Sequence, residues 1–137
     1  MRGQKHRREF GHLEEIKMTQ YVDGFVLPVP KKNRSRYLRM AQLAGKVWRA
    51  HGALEYRECV ADDVPKGKVT SFPRSVKLKS TETVWFSYIV YRNRRHRDQV
   101  LAKVMKDPRL AKYMNPKSMP LDGKRVILGG FKVMVDR

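Results

Sequence analysis

Hydrophobic positions along this chain follow two periods, and the switches between them mark out its elements. Residues 20–28 alternate: Tyr21, Asp23, Phe25 and Leu27 fall on one side, Val22, Gly24 and Val26 on the other, as in a β-strand. Pro28 and Pro30 should end it, since neither can donate to a ladder. From Asn33, suited to an N-cap, Tyr37, Ala41, Ala44 and Trp48, flanked by Met40 and Val47, return at helical spacing. Arg36, Arg39, Lys46 and Arg49 take the opposite side. His51 and Gly52 close this helix, His51 near the negative end of its dipole and Gly52 in the left-handed conformation.

A second strand over residues 54–62 sets Leu54, Tyr56, Glu58 and Val60 against Glu55, Arg57, Cys59 and Ala61. Residues 64–82 form a link too long for a hairpin turn, and its alternating pieces predict a short extra strand or an arm able to cross to a partner subunit. Residues 83–91, T-V-W-F-S-Y-I-V-Y, are β-branched and aromatic on both sides, which fits a central, covered strand. Asn93 can cap a helix over 93–106 whose apolar face is Val100, Leu101, Val104 and Met105. Its first turn holds Arg94, Arg95 and Arg97 against the helix dipole, so either Asp98 compensates or an anion binds there. His96 in that turn reads as a surface histidine. After an irregular loop with Pro116, Pro120 and Gly123, residues 125–135 make the last strand, in which Gly129 and Gly130 mark a bulge or a close approach.

The order is β-α-β-β-α-β. It predicts an α+β, ferredoxin-like domain with a four-stranded antiparallel sheet and, with right-handed crossovers, both helices on one face. Small Val22, Gly24 and Val26 are expected beneath a helix, leaving Tyr21, Asp23, Phe25, Leu27, Leu128 and Met134 on the helix-free face. An apolar sheet face without helices must meet a second subunit or a ligand, and two such faces packed together leave a pocket between them.

A length of 137 residues fits one domain, taken as residues 18–137. Residues 1–17 show no sustained apolar period and are expected to be a poorly ordered extension, with Met18 a candidate start. No apolar run approaches the ~18 residues of a membrane span, and the charged first residues lack a signal sequence, so a cytoplasmic location without membrane attachment is expected. Cys59, the single cysteine, excludes an internal disulfide and is expected to be small and buried. Adjacent Asp62 and Asp63 lack the oxygen spacing of a calcium loop, so no metal is implied.

Several runs carry a family resemblance: Tyr-Val-Asp-Gly-Phe-Val-Leu-Pro-Val-Pro (21–30), Ala-Gly-Lys-Val-Trp (44–48), His-Gly-Ala-Leu-Glu-Tyr (51–56), Lys-Val-Thr-Ser-Phe-Pro (68–73), Lys-Val-Met-Lys-Asp-Pro-Arg (103–109) and Asp-Gly-Lys-Arg (122–125). Over residues 18–136 the chain resembles the YbaA-like family of bacterial proteins in the dimeric α/β-barrel superfamily. That resemblance implies a homodimeric barrel of two ferredoxin-like units. It implies no reaction, because the wider superfamily includes cofactor-free monooxygenases, haem-handling enzymes, isomerases and plain binding proteins. The chain differs in its N-terminal extension and its basic first helix.

Three functions follow as expectations, and whether the chain is an enzyme stays open. The first is a small molecule bound or transformed between the sheets. Its catalytic candidates are Asp23, His51 and Tyr88, and its pocket candidates Tyr21, Phe25, Trp85 and Glu58; which of Trp85 and Tyr88 faces inward is open. The second is nonspecific binding of nucleic acid or another polyanion by Arg36, Arg39, Arg94, Arg95 and Arg97, consistent with a net charge of +18. Sequence-specific RNA recognition by the sheet is disfavoured, since residues 83–88 lack the basic and glycine positions of that fold's signature. The third is a structural or regulatory dimer without ligand. No cofactor is expected: flavin and nicotinamide motifs are absent, and His51 and His96 sit at helix ends, not on the pocket face.

Overall fold

A ten-residue run, eight of them β-branched or aromatic, gives β3 (Glu82–Tyr91), and everything else packs around it in the computed structural model, which describes residues 19–137. The extension expected over residues 1–17 lies outside the described residues. β3 pairs with β1 (Tyr21–Pro30) and with β2 (Glu55–Val60), and β1 pairs with β4 (Ile127–Lys132), all antiparallel, in the order β2-β3-β1-β4. Helices α1 (Arg34–Ala50) and α3 (Arg94–Met105) cover one face, and a single helical turn, α2 (Phe72–Ser75), precedes β3. The chain is thus an α+β protein built on a four-stranded antiparallel sheet. Among the described residues no helix is long and apolar enough to cross a membrane.

β1 runs two residues past its expected end, and strand parity explains why its prolines are harmless. Even-numbered backbone groups of β1 point towards β4, as the bond from Val133 N to Gln20 O shows, whereas odd-numbered ones point towards β3, as Lys31 N to Thr81 O shows. The β1–β4 ladder stops at Val26 and Ile127, so the missing N–H groups of Pro28 and Pro30 face no partner.

The two faces of the sheet are exchanged relative to expectation. Tyr21, Leu27 and Val29 pack beneath the helices with Ile89, Tyr91 and Trp85, against Tyr37, Ala41, Ala44 and Val47 of α1 and Val100 and Val104 of α3. Much of the surface that α1 turns to the sheet is small, including Ala41, Ala44 and Gly45, so the bulk filling the layer has to come from the strands. Gly45 shows the limit: a Cβ there would lie 3.0 Å from the Tyr56 ring. Val22, Gly24 and Val26 therefore take the helix-free face, with Phe86, Tyr88 and Phe131. Leu128, opposite Phe25, lies on the helix side of the sheet edge and is exposed there, and Met134 falls beyond β4.

Residues 64–81 contain no strand. Ser71 Oγ accepts from Arg74 N at 3.1 Å, Pro73 sits in the first turn, and the Arg74 guanidinium closes the loop on Gly67 O. Val76, 1% exposed, is thereby pressed onto Val26 and Val84, covering one end of the helix-free face. The rest of that face stays open, with Phe86 41% and Phe131 64% exposed.

Asn93 caps α3 as expected, its Oδ1 accepting from His96 N at 2.8 Å, but Asn33 donates its side chain to Pro120 O at 3.0 Å and does not cap α1. Gly52 does take positive φ, 114°. The β4 glycines mark a close approach without a bulge: the register is unbroken, and a Cβ on Gly130 would lie 2.7 Å from Tyr21 Cζ. Gly130→Val should therefore cost about 1–3 kcal/mol in urea denaturation, because buried Tyr21 has no room to yield.

Candidate functional site

The helix-side layer holds two carboxylates with opposite electrostatics. Asp23, 5% exposed near the start of β1, accepts from Arg97 Nη1 at 3.0 Å and from the Tyr91 hydroxyl. Tyr91 Oη in turn accepts from Trp48 Nε1 at 3.0 Å, and the Arg97 guanidinium lies 4.9 Å over the Tyr21 ring. Burial pushes the Asp23 carboxyl up and Arg97 pulls part of that back. Arg97 Nε lies 2.9 Å from Asp98 Oδ1 but makes no aligned hydrogen bond. Asp23 is accordingly a matched half of a buried ion pair with Arg97. Arg94 and Arg95 remain exposed.

Glu58, on β2, has no cationic partner among the described residues. Tyr37 Oη donates to one of its oxygens at 2.7 Å and Tyr56 Oη to the other at 2.9 Å. Burial pushes the Glu58 carboxyl above its ordinary value and the two hydroxyls only partly offset this. Burial and the neighbouring carboxylate also push both tyrosine hydroxyls far above the usual range, so they stay protonated donors. Tyr56 also lines an outer groove of about 320 Å³ together with Gly45, Arg49, Leu54, Glu55 and Arg57.

The other candidates scatter. Trp85 faces the helices, edge-on to Tyr37 at 5.0 Å, whereas Tyr88 lies on the helix-free face near Phe86. Tyr21 and Phe25 belong to the helix-side core, so Tyr21, Phe25, Trp85 and Glu58 share the layer beneath the helices. His51 Nε2 pairs with Asp107 Oδ2 at 2.8 Å, tying the end of α1 to the turn after α3; Arg109 and then His51 hold Asp107 well below the usual carboxylate range. His96 bridges turns: its Nδ1 accepts from Arg92 N at 3.0 Å, and burial, with Arg92 and Lys103, holds its pKa down. Cys59 is exposed, not buried, because its side of edge strand β2 points to the helix-free face.

A cleft of about 400 Å³ lies between α1 and the turns that follow α3, lined by Arg36, Arg39, Lys112, Tyr113, Lys117, Ser118 and Pro120. Arg36 and Arg39 are legible in sequence as the polar side of α1. Lys112 and Lys117 are not, since they stand in the irregular turns Pro108–Met114 and Pro116–Ser118, where no period ranks one side chain above another.

Residues 20–123 match the family described as a protein of unknown function, DUF1428. The chain is 45% identical over 117 residues, 85% of its own length and 98% of theirs, to the uncharacterized protein YbaA of Escherichia coli K12 and to YbaA of Shigella flexneri. A match of that extent covers every strand and helix that builds the carboxylate layer and the cleft, and the chain belongs to the DUF1428 family, that of the YbaA proteins.

Proposed function

We propose that two copies of this chain, each a ferredoxin-like unit, pair through their helix-free sheet faces into a dimeric α/β barrel in the cytoplasm, and that each copy acts on a small molecule by proton transfer at Glu58. Pairing is supported by the strand order and by Phe72, Phe86, Ile127 and Phe131, exposed together on that face with Phe72 and Phe86 edge-on at 6.0 Å. The observation that carries the chemistry is a largely buried carboxylate gripped by two tyrosine hydroxyls and, among the described residues, by no cation. A group so placed costs the fold something unless protonated, and its raised pKa lets it hold a proton more readily than an ordinary carboxylate does.

The route runs through Tyr56. A ligand in the outer groove meets its hydroxyl; as Tyr56 Oη accepts a proton from the ligand, its own proton passes to Glu58. Tyr56 carries no net charge during the step, as its raised pKa requires. Protein isolated from its native host should show density beside Tyr56 in a crystal structure, and Glu58→Gln prepared identically should not; equal density in both, or none in either, overturns the assignment. For pairing, sedimentation equilibrium at micromolar concentration should give twice the 16.1 kDa chain mass, and Phe86→Glu should halve it. A wild-type particle of 16.1 kDa would rule the barrel out.

A further inference from the structure

The geometry points to a second site, in the basic cleft, for a compact anion built of two or more linked phosphate groups. It stands apart from the Glu58 site, sharing no residue with it, so either can fail alone.

Four cations converge on that cleft from two directions. Arg36 and Arg39, three residues apart, are neighbours on the outer face of α1. Lys112 and Lys117 come from the opposite wall, with Lys112 Nζ held 4.9 Å from the Tyr113 ring. Both walls are anchored before any ligand arrives. Leu110 and Leu121 are buried on either side, Asn115 Oδ1 accepts from Lys117 N at 3.0 Å, Asp107 Oδ1 accepts from Arg109 N at 2.9 Å, and Asn33 holds Pro120 O.

Charge pairing in this region is selective. Arg109 is matched to Asp107 at 2.7 Å and Arg125 to Asp122 and Glu82, so the carboxylates of these turns are spent outside the cleft. Among the described residues none of Arg36, Arg39, Lys112 or Lys117 has a carboxylate partner. Like charges facing one another across a concavity repel, and a bound anion is what turns that arrangement from a cost into a grip.

The shape selects the class. A nucleic-acid strand needs cations along a track that follows successive phosphates, whereas these cations face each other across about 400 Å³ with Pro120 in the lining. Four positive charges match the three or four negative charges of a di- or triphosphate, and a single phosphate would leave about half of them unopposed. The Arg forks suit phosphate oxygens in pairs, the lysines supply point charges, and Ser118 adds a neutral donor.

Calorimetric titration of the full chain at constant ionic strength tests this, with pyrophosphate, tripolyphosphate, a nucleoside diphosphate, citrate and duplex DNA as probes. Saturable binding of pyrophosphate at one per chain is expected, weakened at least tenfold in Arg39→Ala/Lys112→Ala, and unchanged in Arg95→Ala and in Glu58→Gln. All but Glu58 are exposed, so circular dichroism should show the fold intact. A nucleoside diphosphate that binds more tightly than pyrophosphate, with the same loss in the double variant, assigns the cleft to nucleotides; equal affinity assigns it to bare oligophosphate. Absence of saturation, an equal loss in Arg95→Ala, citrate binding as tightly as pyrophosphate, or DNA binding more tightly than tripolyphosphate each overturns it.

Discussion

Replacing Arg125 with methionine should cost about 3–5 kcal/mol of stability, the usual loss when one partner of a buried ion pair is removed. Arg125 Nη1 donates to Glu82 Oε1 at 2.8 Å, Nη2 meets Oε2, and Nε donates to Asp122 Oδ2 at 3.0 Å. Nη1 also reaches Val76 O and Lys77 O at 3.2 and 3.1 Å. One guanidinium thus joins the start of β3, the segment covering one end of the helix-free face, and the turn before β4. Methionine would leave Glu82, 6% exposed, with Lys79 N at 2.8 Å as its remaining donor, and would free Val76 from Val26 and Val84. Arg125→Lys should lose most of the same stability, because an ammonium cannot span both Glu82 oxygens and Asp122 together. The acid side supplies a second check. Arg125, followed by the Lys79 backbone, holds the Glu82 carboxyl below its ordinary 4.5, so the pair contributes stability that is present above pH 4.5 and lost as pH falls through the lower folded value. Urea denaturation at pH 7 and at pH 3 should show the gap between wild type and Arg125→Met narrowing at the lower pH. A gap below about 1 kcal/mol at pH 7 would place this pair with solvent-exposed ones.

Much of what frames both sites was legible in the sequence, and the errors have a common origin. Tyr37, Ala41, Ala44 and Val47 are the buried stripe of α1 because a 3.6-residue period is a property of one segment and needs no partner to be read. The alternation along β1 is equally local. Which side of that alternation lies under helices is not local, since it depends on how much volume α1 itself brings to the layer, and Ala41, Ala44 and Gly45 bring little. Assigning the large residues to the helix-free face was therefore an error about volume, made with the correct period in hand. Glu58 was placed on the same side of β2 as Tyr56, as found, but its second donor comes from Tyr37, 21 residues earlier and on another element. Likewise Asp23 shows in sequence as a carboxylate among aromatics, and its cation lies 74 residues away. The broken dipole rule at the start of α3 did point to an unusual arginine; the anion that justifies Arg97 is the protein's own Asp23. Lys112 and Lys117 carried no signal, because side chains in 3-10 turns are placed by the packing of Leu110 and Leu121 beside them and not by a repeat.

Glu58→Gln should stabilise the protein at pH 8 by roughly 1 kcal/mol, a few degrees in melting temperature for a chain of this length. The amide keeps an oxygen to accept from one tyrosine, and its NH2 can donate to the hydroxyl oxygen of the other, so the hydrogen bonds survive while the buried charge is removed. The sign follows from burial, the largest influence on Glu58, which raises its folded pKa above the ordinary 4.5. A carboxyl with a raised folded pKa contributes stability that is fully present below pH 4.5 and is lost as pH rises through the folded value. Wild type should therefore lose stability through this residue as pH rises from 4.5 through the raised folded value, and Glu58→Gln should not, the two curves converging at low pH. Tyr56→Phe moves the other way: without the hydroxyl that favours the charged form, the folded pKa of Glu58 climbs further and its pH-dependent loss steepens. If Glu58→Gln is instead destabilising at pH 8 and tracks the wild-type pH profile, the carboxylate is solvated or paired in solution, and the proton-transfer role at Glu58 falls with it. A stabilising substitution at this position means the fold tolerates a charge it would be better without, which is the physical mark of a residue kept for chemistry.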